Sequence, residues 1–437
     1  MTLNPKIMQA VERLDYRVTV GDVAAEAGLD VNLAQQGLLA LASDAGGNLQ
    51  VAESGEIVYR FPKNFRAILQ TKYLRLRLKE WWHAIWKVLF YLIRISFGII
   101  LILSIVLIIT AITIILIALN SANQDSNSSR DSDGGMVFVP NFWFSPDIFY
   151  IFYPDYNSRR YERQRPSHSD EKPSMNFLES VFSFLFGDGN PNIDLEERRW
   201  KAIGTVIRNH RGAVVAEQIA PYLDDVGKGY DRDYESYMLP VLTRFNGQPE
   251  VSPKGEIIYH FPELQASASD RGYQSISAYL KEFPWQFSKA SAGQIILAIA
   301  LGGVNFVGAL ALGSLLGEGT IATQIGGLVA FVQSIYWVLL GYGTAFLAIP
   351  LIRYFWIQWR NRAIATRNAQ RQERAVRLNE ADEQLREKMD FARQYALETV
   401  IHEKDLVYTI ERDLVEQELE QADRIDAEWQ RRLSQEH

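Results

Sequence analysis

Three long apolar stretches dominate the hydropathy pattern of the chain, at residues 95–119, 295–316 and 325–352. The first holds 25 uncharged residues and, at about 1.5 Å per residue, exceeds the roughly 30 Å hydrocarbon core of a bilayer. It therefore predicts one membrane-spanning helix. The other two stretches predict a helical hairpin within a domain of residues 290–352, whose many small residues favour close helix contact.

Basic and aromatic residues flank these stretches, as is typical of the cytoplasmic or stromal ends of membrane helices. A collar and the first span make a domain of residues 72–119. The predicted membrane-interface residues are Lys72, Arg75, Arg77, Lys79, Trp81, Trp82, Trp86, Arg353 and Arg360.

The basic residues after position 352 place both ends of the hairpin on the cytoplasmic side, whereas a single first span places the following segment outside. A return segment at residues 136–153 would bring the chain back to the cytoplasmic side, although Pro140, Pro146 and Asp147 oppose a regular span. A fold-back within residues 89–119 is the alternative. We expect both soluble repeats to lie inside.

A second pattern is a repeat with a shift of 200 residues. Residues 47–62 align without a gap on residues 247–262, and eight of the sixteen positions are identical. In both copies the periodicity of apolar residues predicts three helices before the aligned segment and two strands within it. The predicted helices are 5–17, 20–27 and 32–42 in the first copy and 196–209, 214–222 and 234–245 in the second, and the first hairpin has strands at 48–52 and 56–61.

This order resembles a winged-helix domain, which gives domains of residues 1–66 and 193–265. Nucleic acid is an unlikely partner, because residues 1–60 hold four basic against eight acidic side chains and the third helix has no Lys or Arg. Contact with protein partners is the favoured reading. A structural role, with the modules packed on their own membrane spans, is the alternative.

The linker domain of residues 120–192 begins with a Ser/Asp/Asn-rich loop and ends with a short aromatic helix. Phe182, Phe184 and Phe186 lie on its broad apolar face and are candidate interaction residues, either in an interfacial segment or in a docking groove. The acidic and amide residues of 188–194 fail the calcium-loop pattern, so we expect a helix-capping turn there and no metal.

The segment FSFLFGDGNPN, followed by a helical domain and the GEIIYHFP hairpin, resembles a family of uncharacterised integral membrane proteins from cyanobacteria and plant plastids. The resemblance rests on this segment and on the duplicated hairpin, and the layout covers most of the chain. It implies a thylakoid, plasma or plastid envelope membrane. It brings no catalytic residues with it.

Residues 353–437 contain neither Gly nor Pro and predict a helical arm. The arm is acidic, because positions 371–437 hold 11 Lys/Arg and 18 Asp/Glu. An imperfect apolar stripe is typical of a coiled coil and includes the candidate interaction residues Leu385, Met389, Ile410 and Leu414. A helical hairpin, or docking of the arm on the winged helices, is the alternative to a coiled-coil homo-oligomer.

Candidate chemistry is sparse. The chain has no cysteine, which excludes thiolate zinc sites and cysteine-ligated clusters, and its six histidines are scattered. No phosphate loop or nucleophile elbow occurs, so we expect neither an enzyme nor a cofactor. Residues 1–16 lack signal-peptide features, so insertion is expected to use an internal span.

The combined interpretation is a mainly α integral membrane protein with two winged-helix-like (α+β) modules, transmembrane helices and a long C-terminal helical arm. We expect a scaffold or assembly factor that contacts the membrane and protein partners. A transporter or channel subunit built on the glycine-rich hairpin, and a membrane-tethered DNA-binding regulator, are the alternatives.

Overall fold

The computed structural model describes residues 4–72, 74–124, 175–227, 234–270, 272–317 and 325–409, with single residues at 415, 422 and 426. The fold is mainly helical with three small sheets. The chain divides into two compact units. Unit 1 comprises Met1–Glu80, Pro191–Pro284 and Ala363–His437, and unit 2 comprises Trp81–Asn190 and Trp285–Arg362.

The first repeat, in unit 1, forms three helices and an antiparallel sheet whose own strands have the order β1-β3-β2. Its elements are α1 (Pro5–Arg13), β1 (Arg17–Val18), α2 (Val20–Ala27), α3 (Val31–Ala45), β2 (Asn48–Ala52) and β3 (Ile57–Arg60), followed by α4 (Phe65–Lys72). Local sequence sets the helix ends. Thr19 and Asp22 form a capping box at α2, and Gly28 ends α2 with a left-handed φ of 62°.

The second repeat has the same order, and its sheet runs β4-β6-β5. Its elements are α7 (Leu195–Asn209), β4 (Ala213–Val214), α8 (Ala216–Ile219), α9 (Leu239–Phe245), β5 (Gln248–Val251) and β6 (Ile257–His260), followed by α10 (Pro262–Gln265). The short 3-10 turns Ala220–Tyr222 and Ser236–Met238 stand where the sequence predicts longer helices. Pro221, in the first of these turns, has no N–H to continue α8.

One strand of each repeat was not predicted. The predicted helix at 5–17 ends at Arg13 because Asp15 and Tyr16 have left-handed φ values of 56° and 64°, and the chain then enters β1. Arg211 and Gly212, at φ 55° and 77°, make the equivalent turn before β4. Two-residue strands carry too little alternation to be recognised in a sequence.

The two repeats share one apolar core, in which α2 of the first repeat packs against α7 of the second. The helices touch closely, because a Cβ on Gly204 would lie 2.9 Å from the Cα of Ala25. Asp22 is fully buried at this contact and forms an ion pair with Arg208 of α7. Its carboxylate also accepts hydrogen bonds from Ser267 Oγ (3.0 Å) and the Ala268 N–H (3.0 Å).

The C-terminal arm belongs to unit 1 and is not helical throughout. Helix α13 (Tyr336–Asn379) continues into the arm, and α14 (Glu383–Gln394) follows. Strand β8 (Thr399–Val400) then pairs in parallel with β7 (Ala266–Ser267), and β9 (Leu406–Thr409) pairs with β2. The prediction of a helical arm is therefore wrong from Thr399 to Thr409, because Leu406-Val-Tyr-Thr409 favours a strand when a sheet edge is free beside it.

Unit 2 contains helix α5 (Leu74–Gln124) from Trp81 onward, α6 (Phe177–Phe186), α11 (Ala292–Leu316), α12 (Gly327–Ser334) and α13 up to Arg362. Among the described residues, three helices are long and apolar enough to cross a membrane: Ala84–Ser121, Ala292–Leu316 and Tyr336–Asn379. Helix α5 is continuous, so the fold-back within 89–119 is wrong. The second arm of the predicted hairpin is interrupted at Ile335, and the segment at 136–153 lies outside the described residues.

Asp22→Asn should destabilise unit 1 by about 3–5 kcal/mol, because the neutral amide leaves the Arg208 guanidinium without its partner and cannot accept every hydrogen bond of the carboxylate. Denaturant unfolding of the detergent-solubilised full chain measures the change. Asp30→Asn is the matched control, since asparagine is as good an N-cap residue as the aspartate that caps α3. Equal stability of the two variants would contradict the proposed importance of Asp22.

Candidate functional site

The aromatic helix α6 packs inside unit 2. Phe184 is buried against Phe287 and Phe346, with ring centroids at 5.9 and 5.8 Å. Phe182 lies 5.9 Å from Phe90 and 5.7 Å from Phe97 of α5. The structure thus places these predicted interaction residues against helices of their own chain. Only Phe186, which is 43% exposed, still presents substantial area to the surroundings.

Asp188, just after α6, belongs to the acidic and amide series of residues 188–194, and it connects three segments of unit 2. It forms an ion pair with Arg94 of α5 (3.0 Å) and accepts a hydrogen bond from Ser183 Oγ (2.6 Å). The backbone N–H of Lys289 also donates to it (2.8 Å). The carboxylate of this turn therefore joins α5, α6 and the segment before α11.

The contacts give the three long helices a common near end and a common far end. Near the first end, Arg353 of α13 donates to the Phe184 carbonyl (2.8 Å), and Arg94 of α5 pairs with Asp188. At the other end, Ile115 of α5 shares an apolar cluster with Leu316 and Leu339. Arg94 and Ile115 are therefore separated by about 30 Å along α5, close to the thickness of a bilayer core.

The chain enters unit 2 twice and leaves it twice, each time at the near end. The junctions lie after residues 80, 190, 284 and 362. The Trp285 N–H donates to the side chain of Asn361 (2.8 Å), which places two of these junctions side by side. Asp188 and Lys289 bring a third beside them, and the remaining junction lies on the N-terminal side of Arg94.

Five of the predicted membrane-interface residues belong to unit 2 and lie on this near side. Trp81, Trp82 and Trp86 are all more than half exposed on α5. Arg360 stacks on Trp285 (5.8 Å) and Trp356 (5.4 Å). Arg353 is half-buried and contacts Phe287, so it has a packing role besides any interfacial one. The side chains of Lys72, Arg75, Arg77 and Lys79 lie outside the described part of the chain.

A buried polar pair lies between the two ends of unit 2. Ser104 of α5 donates a hydrogen bond to the side-chain oxygen of Asn305 of α11 (2.7 Å). Asn305 is 1% exposed, and its Nδ2 has no hydrogen-bond partner within the described structure. Close packing surrounds it, because a Cβ on Gly343 would lie 3.3 Å from Nδ2.

In unit 1, α14 docks on the second repeat instead of forming an exposed seam. Leu385 and Met389 pack against a cluster that contains Val215 and Ile258. This is the docking alternative that the sequence left open. Ile410 and Leu414 lie outside the described residues.

A buried lysine reinforces this docking. Lys388 is 4% exposed and contacts Glu217 (3.0 Å) and Glu235 (2.5 Å) of the second repeat. Burial alone lowers the pKa of Lys388, but the attraction of the two carboxylates outweighs it and holds the pKa above its usual value. Glu235 also accepts a hydrogen bond from the Tyr259 hydroxyl (2.7 Å).

A second charged cluster ties the start of the arm to the second repeat. Arg371 is 1% exposed and forms ion pairs with Asp224 and with Glu282 (2.8 Å). Burial raises the pKa of each of these two carboxyls, but the neighbouring arginines outweigh it and lower both pKa values. Charged residues of the arm, among them Arg371 and Lys388, thus serve as buried anchors.

An open cleft of about 400 Å³ lies where α9 of the second repeat meets the N-cap of α3 of the first repeat. It is lined by Asp30, Trp200, Leu239, Pro240, Thr243 and Arg244. Leu239 is 66% exposed, and Leu33, on the first turn of α3 after Asp30, is 47% exposed. Arg244 stacks on Trp200 (4.3 Å) and donates to the Gly28 carbonyl (2.8 Å), which fixes one wall.

No group of three or more His, Asp or Glu side chains within the described residues is placed to hold a metal ion. The cleft between the repeats presents contact area and two opposite charges, Asp30 and Arg244. Such a surface can bind another macromolecule through apolar contacts at its centre and polar contacts at its rim.

Comparison with known proteins identifies a relative. An uncharacterised chloroplastic protein of Arabidopsis thaliana is 40% identical over 443 aligned positions, which cover 98% of this chain and 82% of the relative. The chain belongs to the family of this plant protein. No family model and no solved structure matches the chain. The predicted resemblance to a plastid-related family is confirmed at this level, whereas its cyanobacterial members and the FSFLFGDGNPN signature stay predictions.

The lowered pKa values of Asp224 and Glu282 predict how the stability of unit 1 depends on pH. These carboxyls bind fewer protons when folded than when unfolded, so their stabilising effect is complete above their usual pKa values and is lost as the pH falls through the folded ones. The stability difference between wild type and Glu282→Gln should therefore shrink between about pH 6 and about pH 3. Denaturant unfolding across this range measures it.

Glu380→Gln, at an exposed position of the same arm, is the control and should show a smaller change with pH. A difference between wild type and Glu282→Gln that stays constant over the whole range would contradict the assignment.

Proposed function

We propose that this protein is a non-enzymatic membrane scaffold or assembly factor. It spans the membrane with the three long apolar helices of unit 2 and presents unit 1 at the cytoplasmic or stromal face. The observation that carries this proposal is the position of all four chain junctions at one end of unit 2. An anchor of this kind holds both repeats on the same side. Because three spans are an odd number, the proposal also needs the return segment that the sequence analysis places at residues 136–153.

The repeats are winged-helix-like modules for protein contact. Their helix order and their antiparallel sheets β1-β3-β2 and β4-β6-β5 support this assignment. The exposed residues Asn32, Leu33, Gln35, Gln36 and Leu39 lie on the outer face of α3, and this face has no positive charge with which to contact a phosphate backbone. The cleft at Leu239, together with the exposed Leu33 three residues after Asp30, is the proposed contact surface, since exposed apolar patches mark interaction sites.

The membrane is proposed to be a plastid membrane, or a thylakoid or plasma membrane in a cyanobacterial cell. The chloroplastic relative supports the plastid assignment. The exposed tryptophans at the near end of unit 2 support an interface at that level, where amphipathic aromatic rings are enriched.

Membrane topology can be tested with single cysteines, because the chain has none of its own. Ser43→Cys in the first repeat, Lys254→Cys in the second and Lys289→Cys at the near end of unit 2 should react with an impermeant maleimide from the same side of sealed vesicles. Ser121→Cys, near the far end of α5, should react from the other side.

All four positions are exposed, so differences in labelling report sidedness rather than burial. Labelling of the two repeats from opposite sides would reject the common face, and labelling of Ser121→Cys together with Lys289→Cys would reject the membrane-spanning arrangement.

The partner surface can be tested by mild-detergent co-purification and mass spectrometry with Leu33→Asp/Leu239→Asp. We expect a stoichiometric partner of the wild type to be lost, because charges at these two positions disrupt an apolar contact surface. Leu397→Asp is the control, since this leucine is 62% exposed elsewhere in unit 1 and should retain the partner. If the double variant retains every partner of the wild type, this cleft is not the contact surface.

A transporter or channel subunit is the second candidate, and the buried Ser104–Asn305 pair favours it. Polar side chains at membrane depth often mark substrate pathways. In that case Asn305→Leu abolishes flux in vesicles, whereas in a scaffold it alters only helix assembly. A membrane-tethered DNA-binding regulator is the third, and salt-dependent retention on DNA is the measurement that detects it.

A further inference from the structure

The outer edge of β2 is a strand-binding site that the chain itself occupies. Strand β9 pairs with β2 in antiparallel register, with Gln50 opposite Thr409 and Val51 opposite Tyr408. The Glu53 N–H then donates to the Asp405 carbonyl (2.9 Å). Backbone hydrogen bonds of this kind add a strand to a sheet with little demand on the identity of the side chains.

Contacts just before β9 determine which segment enters this edge. Ile401 is 1% exposed and packs in a small apolar cluster with Ala52 and Val58. Its carbonyl accepts a hydrogen bond from Arg17 (2.9 Å), and its N–H donates to the Ser267 carbonyl (2.9 Å). The β2 edge therefore recognises a segment in which a buried isoleucine, Ile401, precedes the four-residue strand β9.

The second repeat shows that this edge is a specialised feature. The Ser252 N–H points inward, toward β6, and donates to the Glu256 carbonyl (2.8 Å). The Ala52 N–H donates in the same way to the Glu56 carbonyl in the first repeat. Residues alternate between the two sides of a strand, so the outward positions are Pro249, Val251 and Pro253 in the second repeat. The equivalent positions of the first repeat are Leu49, Val51 and Glu53.

Two of the three outward positions of the second repeat, Pro249 and Pro253, thus lack a backbone N–H, whereas all three equivalent positions of the first repeat have one. Proline on an exposed edge strand prevents pairing with other strands. The edge of β5 is unpaired within the described residues and is protected in this way. The edge of β2 has no such protection, so it is open to another strand whenever β9 leaves.

We propose that the β2 edge also binds residues 401–409 of a second copy of this chain, which gives a dimer by strand exchange. The second copy carries the one segment whose fit to this edge the structure already shows. The arm reaches the edge through two short non-helical connections, at residues 380–382 and 395–398, and short connections of this kind permit the exchange of an element between identical chains. The exchanged dimer makes the same contacts as the monomer.

Disulfide trapping in membranes tests the exchange. Gln50 and Thr409 are directly opposed and belong to a pair without mutual backbone hydrogen bonds, the geometry in which side chains lie closest. Gln50→Cys and Thr409→Cys are placed in separate chains with different tags and co-expressed. We expect a disulfide-linked heterodimer of about twice the 49.9 kDa chain mass.

The repeat supplies a matched control, because Glu250 occupies in β5 the position that Gln50 occupies in β2. Glu250→Cys co-expressed with Thr409→Cys should give only background dimer. Glu53→Pro, which copies the proline of the second repeat, should reduce the dimer of the Gln50→Cys and Thr409→Cys pair. A chain carrying both Gln50→Cys and Thr409→Cys reports docking within one chain.

Two outcomes overturn the proposal. If the doubly substituted chain closes an internal disulfide while the separate chains give no more dimer than the Glu250→Cys control, the strand stays in its own chain. If neither arrangement forms a disulfide, the β2 edge does not bind residues 401–409 at all. Solubility and thermal unfolding of each variant, measured in parallel, show that each result comes from folded protein.

Discussion

The buried carboxylate of Asp22 connects parts of unit 1 that are up to 246 residues apart in the chain. It caps α2 of the first repeat, pairs with Arg208 of the second and accepts hydrogen bonds from Ser267 and Ala268. A charge without contact with water is tolerated only where every acceptor position is satisfied. The contact between the repeats and the start of the β7–β8 pairing therefore depend on one side chain.

The repeats were predictable because their signals are local, and the arm was not because its signals are distant. Caps at Thr19, Asp30 and Gly28 and the turn at Gly55 fix the elements of the first repeat within a few residues. The strands of the arm form only beside edges that the repeats supply, and the helix-favouring composition around them concealed this. The cleft at Leu239 could not be predicted either, since its walls come from different repeats.

The two copies have diverged in ways that suit different neighbours within the chain. The second repeat holds α14 through Lys388 and the apolar pair Leu385 and Met389, and it carries prolines on its sheet edge. The first repeat lacks these edge prolines and accepts β9. The two repeats thus have similar sheets, and they differ at the outward positions of the edge strand, where the second repeat has Pro249 and Pro253. The repeat without these prolines is the one that pairs with β9.

Positive charge at the near end of unit 2 has two physical roles. Arg94 and Arg353 belong to the positive charge from which the orientation of the membrane helices was predicted, and the structure also uses them inside the fold. Arg94 neutralises Asp188, and Arg353 satisfies carbonyls at the C-terminal end of α6, where a helix has no N–H of its own to offer. These two arginines, on which the proposed membrane orientation also depends, therefore hold the aromatic helix α6 in place. Replacing either would disturb the packing of α6 and remove charge that favours that orientation.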